Sequence, residues 1–127
     1  MNPKITEIIT TSQDALVALD IDRYLSVFAE DVEIIDAGMP PLQGLAALRT
    51  FLGGFTGLVR TMRFLDRKIF PLGRAAAMRF SLEIVGTNAK TVLWEGVDVF
   101  ELDENDRIRR VTSYYDPGSL APLMTAG

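Results

Sequence analysis

Two aspartates stand where strand periodicity calls for apolar residues. From Thr91 to Leu102, the two-residue period puts Trp94, Gly96, Asp98, Phe100 and Leu102 on one face. Glu95, Val97, Val99 and Glu101 take the other. A carboxylate among these rings is costly to ionise, so burial should raise the Asp98 pKa and let it donate a hydrogen bond near neutral pH. A partly exposed or hydrogen-bonded structural aspartate fits the same spacing. Asp36 shares a shorter strand's face with Val32 and Ile34 and precedes the loop Gly38-Met39-Pro40-Pro41. A strand-end carboxylate can face a cavity without full burial, which suits a general base. The position equally suits a turn aspartate bonded to the amides of Ala37 and Gly38.

Composition narrows the chemistry. The 127 residues include no cysteine and no histidine. That excludes disulfides, thiolate nucleophiles, Ser-His-Asp catalysis, His-ligated metals and imidazole proton transfer. Carboxylates, tyrosine, lysine or water must carry any proton, and neither a metal nor a cofactor is expected. A net charge of −4 argues against nucleic acid and anionic membranes as partners. No run of about 18 apolar residues is available to span a bilayer. The start, Met1-Asn2-Pro3-Lys4, lacks a basic region followed by an apolar block, and a cytoplasmic location is expected. With 48% hydrophobic and 24% charged residues, the chain reads as one domain over residues 1–127.

Other side chains carry weaker signals. Ser12 interrupts an apolar helix stripe; it either bonds back to the carbonyl one turn earlier or lines a pocket. Arg79 shares a strand face with Ala77, Ser81 and Glu83, which suits an ion pair with Glu83 or a neighbouring strand. Tyr114 and Tyr115 point to opposite faces of one strand, so one faces any pocket and the other a partner surface; we assign the pocket position to Tyr114. Arg107, Arg109 and Arg110 adjoin the acidic turn Asp103 to Asp106, where charge pairing across the hairpin is the simplest account.

The elements follow from punctuation and period. Asn2-Pro3 opens a helix whose stripe runs through Ile5, Ile8, Ile9, Ser12, Ala15, Leu16 and Leu19. Asp20-Ile21-Asp22 caps a second helix with the stripe Ile21, Tyr24, Leu25 and Phe28, closed by Ala29-Glu30-Asp31. Val32 to Asp36 is a short strand, and Gly44 to Phe55 a third helix. Strands are predicted over Arg60 to Ile69, Ala75 to Val85, Thr91 to Leu102 and Arg107 to Tyr115, the last stopped by Asp116-Pro117-Gly118. Helices followed by an antiparallel meander make an α+β fold.

This pattern resembles the nuclear transport factor 2-like superfamily across essentially the whole chain. The likeness rests on Asp20-Ile21-Asp22, Val27-Phe28-Ala29-Glu30-Asp31-Val32 and Gly44-Leu45-Ala46-Ala47-Leu48-Arg49. The ending, Asp98-Val99-Phe100-Glu101-Leu102, an acidic turn, Arg107-Ile108 and Tyr114-Tyr115-Asp116-Pro117, is similar to its SnoaL-like and ketosteroid-isomerase branches. The resemblance implies a cone, a curved antiparallel sheet wrapped around N-terminal helices and enclosing an apolar pocket. It further implies a homodimer through the outer sheet face. On the isomerase pattern Asp36 matches the base and Asp98 the protonated donor. An ungapped count places Ser12 where that pattern has a tyrosine. The superfamily's epoxide hydrolases match less well, because Ser81 and Ser113 stand where their carboxylates would be, and so do its polyketide cyclases, whose acid/base aspartate falls at the Ser113 site.

The resulting expectation is a cofactor-free isomerase or lyase acting on a small hydrophobic carbonyl compound. Asp36 and Asp98 would be catalytic, with Ser12, Trp94, Phe100 and Tyr114 binding substrate. The alternative is a non-catalytic protein of the same fold that binds a small hydrophobic ligand.

Overall fold

A computed structural model describes residues 3–125. Asn2, expected to cap the first helix, lies outside them. The elements are α1 (Pro3–Val17), α2 (Ile21–Leu25), β1 (Phe28–Asp36), β2 (Leu42–Gln43), α3 (Leu45–Thr56), β3 (Val59–Leu72), β4 (Ala75–Gly86), β5 (Thr91–Leu102), β6 (Ile108–Tyr115) and a C-terminal 3₁₀ helix (Pro117–Met124). Among the described residues no helix is long and apolar enough to cross a membrane.

The α+β class holds, but the expected cone does not. The six strands form an open sheet in the order β2-β1-β6-β5-β4-β3, neither closed nor strongly curled. Edge strand β2 has two residues and pairs with β1 at Glu33 and Ile34. The opposite edge, β3, pairs with β4 along its length. No ladder joins the two edges, so helices packed on one face, rather than a closing seam, cover the inner residues. Nor is the sheet a pure meander: β1 pairs in parallel with β6.

The second helix is shorter than its apolar stripe suggests. Asp20 caps its start by accepting the Arg23 amide, and the Ser26 hydroxyl donates to the Arg23 carbonyl at its end. The Ile108 amide then donates to the Val27 carbonyl, drawing the chain into the sheet so that Phe28 begins β1. Tertiary pairing here overrides a helical period.

Alternation on β4 and β5 builds the core. Met78, Phe80, Leu82 and Ile84 face inward, and the first three pack with Phe100, Ile5, Ile9 and Phe28. A second cluster of Val59, Met62, Ile84, Val92, Leu120 and Leu123 forms near the C-terminal helix, and Trp94 packs against both. On the outer face Arg79 pairs with Asp66 on β3, and Glu83 pairs with Arg63. Arg109 and Arg110 pair with Glu101 across the β5–β6 hairpin, and Arg110 also reaches Glu33 on β1.

Candidate functional site

Between the sheet's inner face, α1, α3 and the C-terminal helix lies a cavity of about 480 Å³. Its walls are chiefly Leu, Phe and Met side chains. Asp36 and Asp98 both line it. They reach it from β1 and β5, and Ser113 of β6 is the register partner of each. Two strand spacings, about 10 Å, therefore separate their backbones, and both side chains belong to the inward phase.

Their surroundings differ. Asp98 Oδ1 is buried without a hydrogen-bond partner. Burial is the main cause that pushes the Asp98 carboxyl up, from its ordinary 3.8 to about 7. A hydrogen bond from Ser113 lowers it and the charge of Asp36 raises it further. Asp36 is instead held by donors. Its Oδ1 accepts the Tyr115 hydroxyl at 2.5 Å and the Gly38 amide at 2.8 Å. Its Oδ2 accepts no hydrogen bond among the described residues. A β-carbon on Gly38 would lie 2.9 Å from the Tyr115 hydroxyl oxygen, so glycine permits this approach.

Tyr115, not Tyr114, faces the cavity. Tyr114 is 60% exposed on the outer face and does not line the cavity. The register decides this: Tyr115 sits opposite Gly96, which has no side chain to exclude the ring. The Tyr115 hydroxyl pKa is raised above the ordinary tyrosine value, first by burial and then by its bond to Asp36. It remains a phenol that donates.

Ser12 is also off the site. It is fully buried, and its hydroxyl donates to the Ile9 carbonyl at 2.7 Å. The cavity is reached instead by the next residue, Gln13, whose side-chain amide donates to Ser12 Oγ at 3.2 Å. Trp94 and Phe100 do line the cavity. The Trp94 ring meets Phe80, Phe55 and Tyr115 at centroid distances of 5.5, 5.9 and 5.4 Å, and its Nε1 is buried without a partner.

The sequence reading assigns no pocket role to Tyr24, Ser113, Leu120 or Leu123, all of which line the cavity. Tyr24 of α2 lines the cavity, its ring tilted by 31° against Phe28 at a centroid distance of 4.7 Å. Burial, then the charge of Asp98, raises its pKa. The sequence signal was its place on an apolar stripe, which reads equally as core. Ser113 takes its place between the two aspartates only through register. Leu120 and Leu123 of the C-terminal helix close one end of the cavity, beyond the Pro117-Gly118 stop. Asn88 fastens that segment by donating to the Pro122 and Thr125 carbonyls.

A family model of the SnoaL-like domain matches residues 9–111. No curated protein matches the chain. Solved structures match over nearly its whole length. A candidate polyketide cyclase from Xanthomonas campestris pv. campestris superposes with a TM-score of 0.85 at 21% identity, over 96% of this chain and 97% of that one. A nuclear transport factor 2-like protein of unknown function from Burkholderia pseudomallei K96243 gives 0.85 at 18%, over 98% and 100%. An LEH-like epoxide hydrolase from M. tuberculosis gives 0.78 at 19%, over 94% and 88%. At these identities the likeness is one of fold.

Proposed function

The chain belongs to the SnoaL-like domain family within the nuclear transport factor 2-like superfamily, and from that premise we propose a cofactor-free acid–base enzyme, an isomerase or lyase for a small hydrophobic carbonyl compound. The observation that carries this reading is the shared cavity of Asp36 and Asp98 in two unlike environments. Carboxyls tuned apart in one site divide naturally into acid and base.

Asp36 Oδ2 would take a proton from the carbon alpha to the carbonyl, while the donors on Oδ1 hold the carboxylate in place. The electron pair moves to the carbonyl oxygen, where protonated Asp98 donates a hydrogen bond to the developing enolate. Where the substrate carries a β,γ double bond, the dienolate takes the proton back from Asp36 at the γ carbon as the double bond moves into conjugation, completing an isomerisation; where it carries a β-leaving group, the enolate expels it, completing an elimination. Trp94, Phe100 and Tyr115 would shape the pocket. The test is a panel of hydrophobic ketones in deuterium oxide, followed for exchange at the alpha carbon. Exchange that is protein-dependent and lost in Asp36→Asn supports the reading. No exchange on any ketone that binds overturns it.

One observation favours the second reading, a binding protein without turnover. Asp36 Oδ1 accepts the amide of its own turn at Gly38, as a purely structural turn aspartate would. Ligand binding that survives Asp36→Asn unchanged, with no exchange in the wild type, would select it.

The assembly proposed with this function is a homodimer through the outer sheet face. An outward row, Ile35, Thr112, Val99, Ala77 and Phe70, crosses five strands in register. Leu93 and Val97 add exposed apolar surface beside it. A cytoplasmic location, resting on the cysteine-free composition, belongs to the same proposal.

A further inference from the structure

We infer that the cavity selects uncharged ligands and rejects carboxylates and phosphates of the same hydrophobic shape. This deepens the proposed function, on whose site it rests, by assigning the charge class of the substrate. The cavity walls hold two carboxyl groups and, among the described residues, no lysine or arginine. Arg67 also turns to the helix side of the sheet, but it is paired with Asp14 at 2.9 Å and does not line the cavity. An anion entering would lose its water against Leu, Phe and Met side chains and meet no opposite charge.

The hydrogen-bond donors that could replace that water are few. The Tyr115 hydroxyl and Gly38 amide already donate to Asp36, the Gln13 amide to Ser12, the Thr50 hydroxyl to the Ala46 carbonyl and the Ser113 hydroxyl to Asp98. Tyr24 and the unpartnered Trp94 indole are neutral donors that suit a carbonyl or hydroxyl oxygen. A cation is served no better once Asp98 is protonated. Asp36 has one oxygen already bonded twice, and Phe55, Phe80 and Tyr115 meet the Trp94 ring at 65°, 86° and 68°. Such edge-to-face packing leaves no open box of ring faces.

Calorimetric titration of the full chain at pH 8 tests this with three probes that share one ring system. They are 2-acetylnaphthalene, 2-naphthoate and 2-naphthylmethylammonium. The ketone should bind at least about tenfold more tightly than the naphthoate at pH 8, and than the ammonium at pH 6, where Asp98 is protonated. The naphthoate deficit should shrink at pH 6, where Asp98 loses charge. The groups facing Asp98 that bear on this are Asp36, Tyr24 and Tyr115. Asp98→Asn should shrink the deficit at pH 8, and the wild-type pH comparison stands alone if that variant does not fold. Naphthoate binding as tightly as the ketone at pH 8, the ammonium binding most tightly at pH 6, or a ketone that does not bind would each overturn the inference. Charge selectivity without alpha exchange on the ketone would leave this inference standing and count against the enzyme. Exchange without selectivity would do the reverse.

Discussion

Asp36 and Asp98 flank a single residue: Ser113 is the register partner of Asp36 across β1–β6 and of Asp98 across β6–β5. One carboxyl is held by hydroxyl and amide donors, and the other has an oxygen buried with none. The ladder thus delivers two chemically different acids to one cavity at a separation set by strand spacing.

The first prediction concerns pH and stability. Asp98 has a folded pKa of about 7, above its ordinary 3.8. Between these values the unfolded chain is ionised at this site while the folded one is protonated. Stability from this group is therefore full below about pH 4 and is lost as pH rises through 7, amounting to a few kcal/mol. Asp98→Asn should remove that slope. Relative to wild type, the variant should be favoured more at pH 8 than at pH 4 in urea denaturation. The opposite order would mean an ionised, paired Asp98 and would defeat its donor role.

Activity should separate the two aspartates. Asp36→Asn cannot accept the substrate proton and should lower alpha exchange by about 10²-fold or more. Asp98→Asn can still donate and should lose only about tenfold. Equal losses in both variants would contradict the division of roles.

Tyr115→Phe keeps the ring against Trp94 and removes the hydroxyl from Asp36. Stability should fall by about 1 kcal/mol. Under the enzyme reading kcat should fall more than KM changes, since the base is misplaced while the apolar pocket persists. A KM effect with kcat preserved would make Tyr115 a binding residue instead.

Gly96→Ala would place a β-carbon 2.3 Å from the Tyr114 carbonyl oxygen and 2.9 Å from the Tyr115 β-carbon. Backbone cannot yield as a flexible side chain can, so β5 and β6 must part. We expect a loss of about 2 kcal/mol or more in denaturation. An unchanged midpoint would show that the ladder tolerates the shift.

Assembly is checked by light scattering. Wild type should be dimeric at micromolar concentration, and Val97→Glu, at a site 37% exposed on the outer face, should be monomeric. A monomeric wild type defeats the proposed interface.

Residue types and local period settle which chemistry is available and which strand phase carries it. The absence of histidine and cysteine leaves carboxylates and tyrosines. Alternation from Trp94 to Leu102 places Asp98 among inward residues, because a strand's period is a local property of its backbone. Local signals also placed most elements, with β5 spanning Thr91–Leu102 as expected. What only the tertiary structure decided are relationships between distant segments. Period alone says that Tyr114 and Tyr115 diverge; the pairing of Tyr115 with Gly96 says which one turns inward. A helix stripe admits both Ser12 and its neighbour, about 100° apart around the axis, and packing of α1 on the sheet buries Ser12 while giving the cavity Gln13. The cone implied by resemblance failed because closure depends on whether the two edge strands meet, and β2 and β3 do not. The parallel β1–β6 ladder, joining segments some 75 residues apart and written in neither of them alone, is what brings Asp36 to Ser113 and so to Asp98.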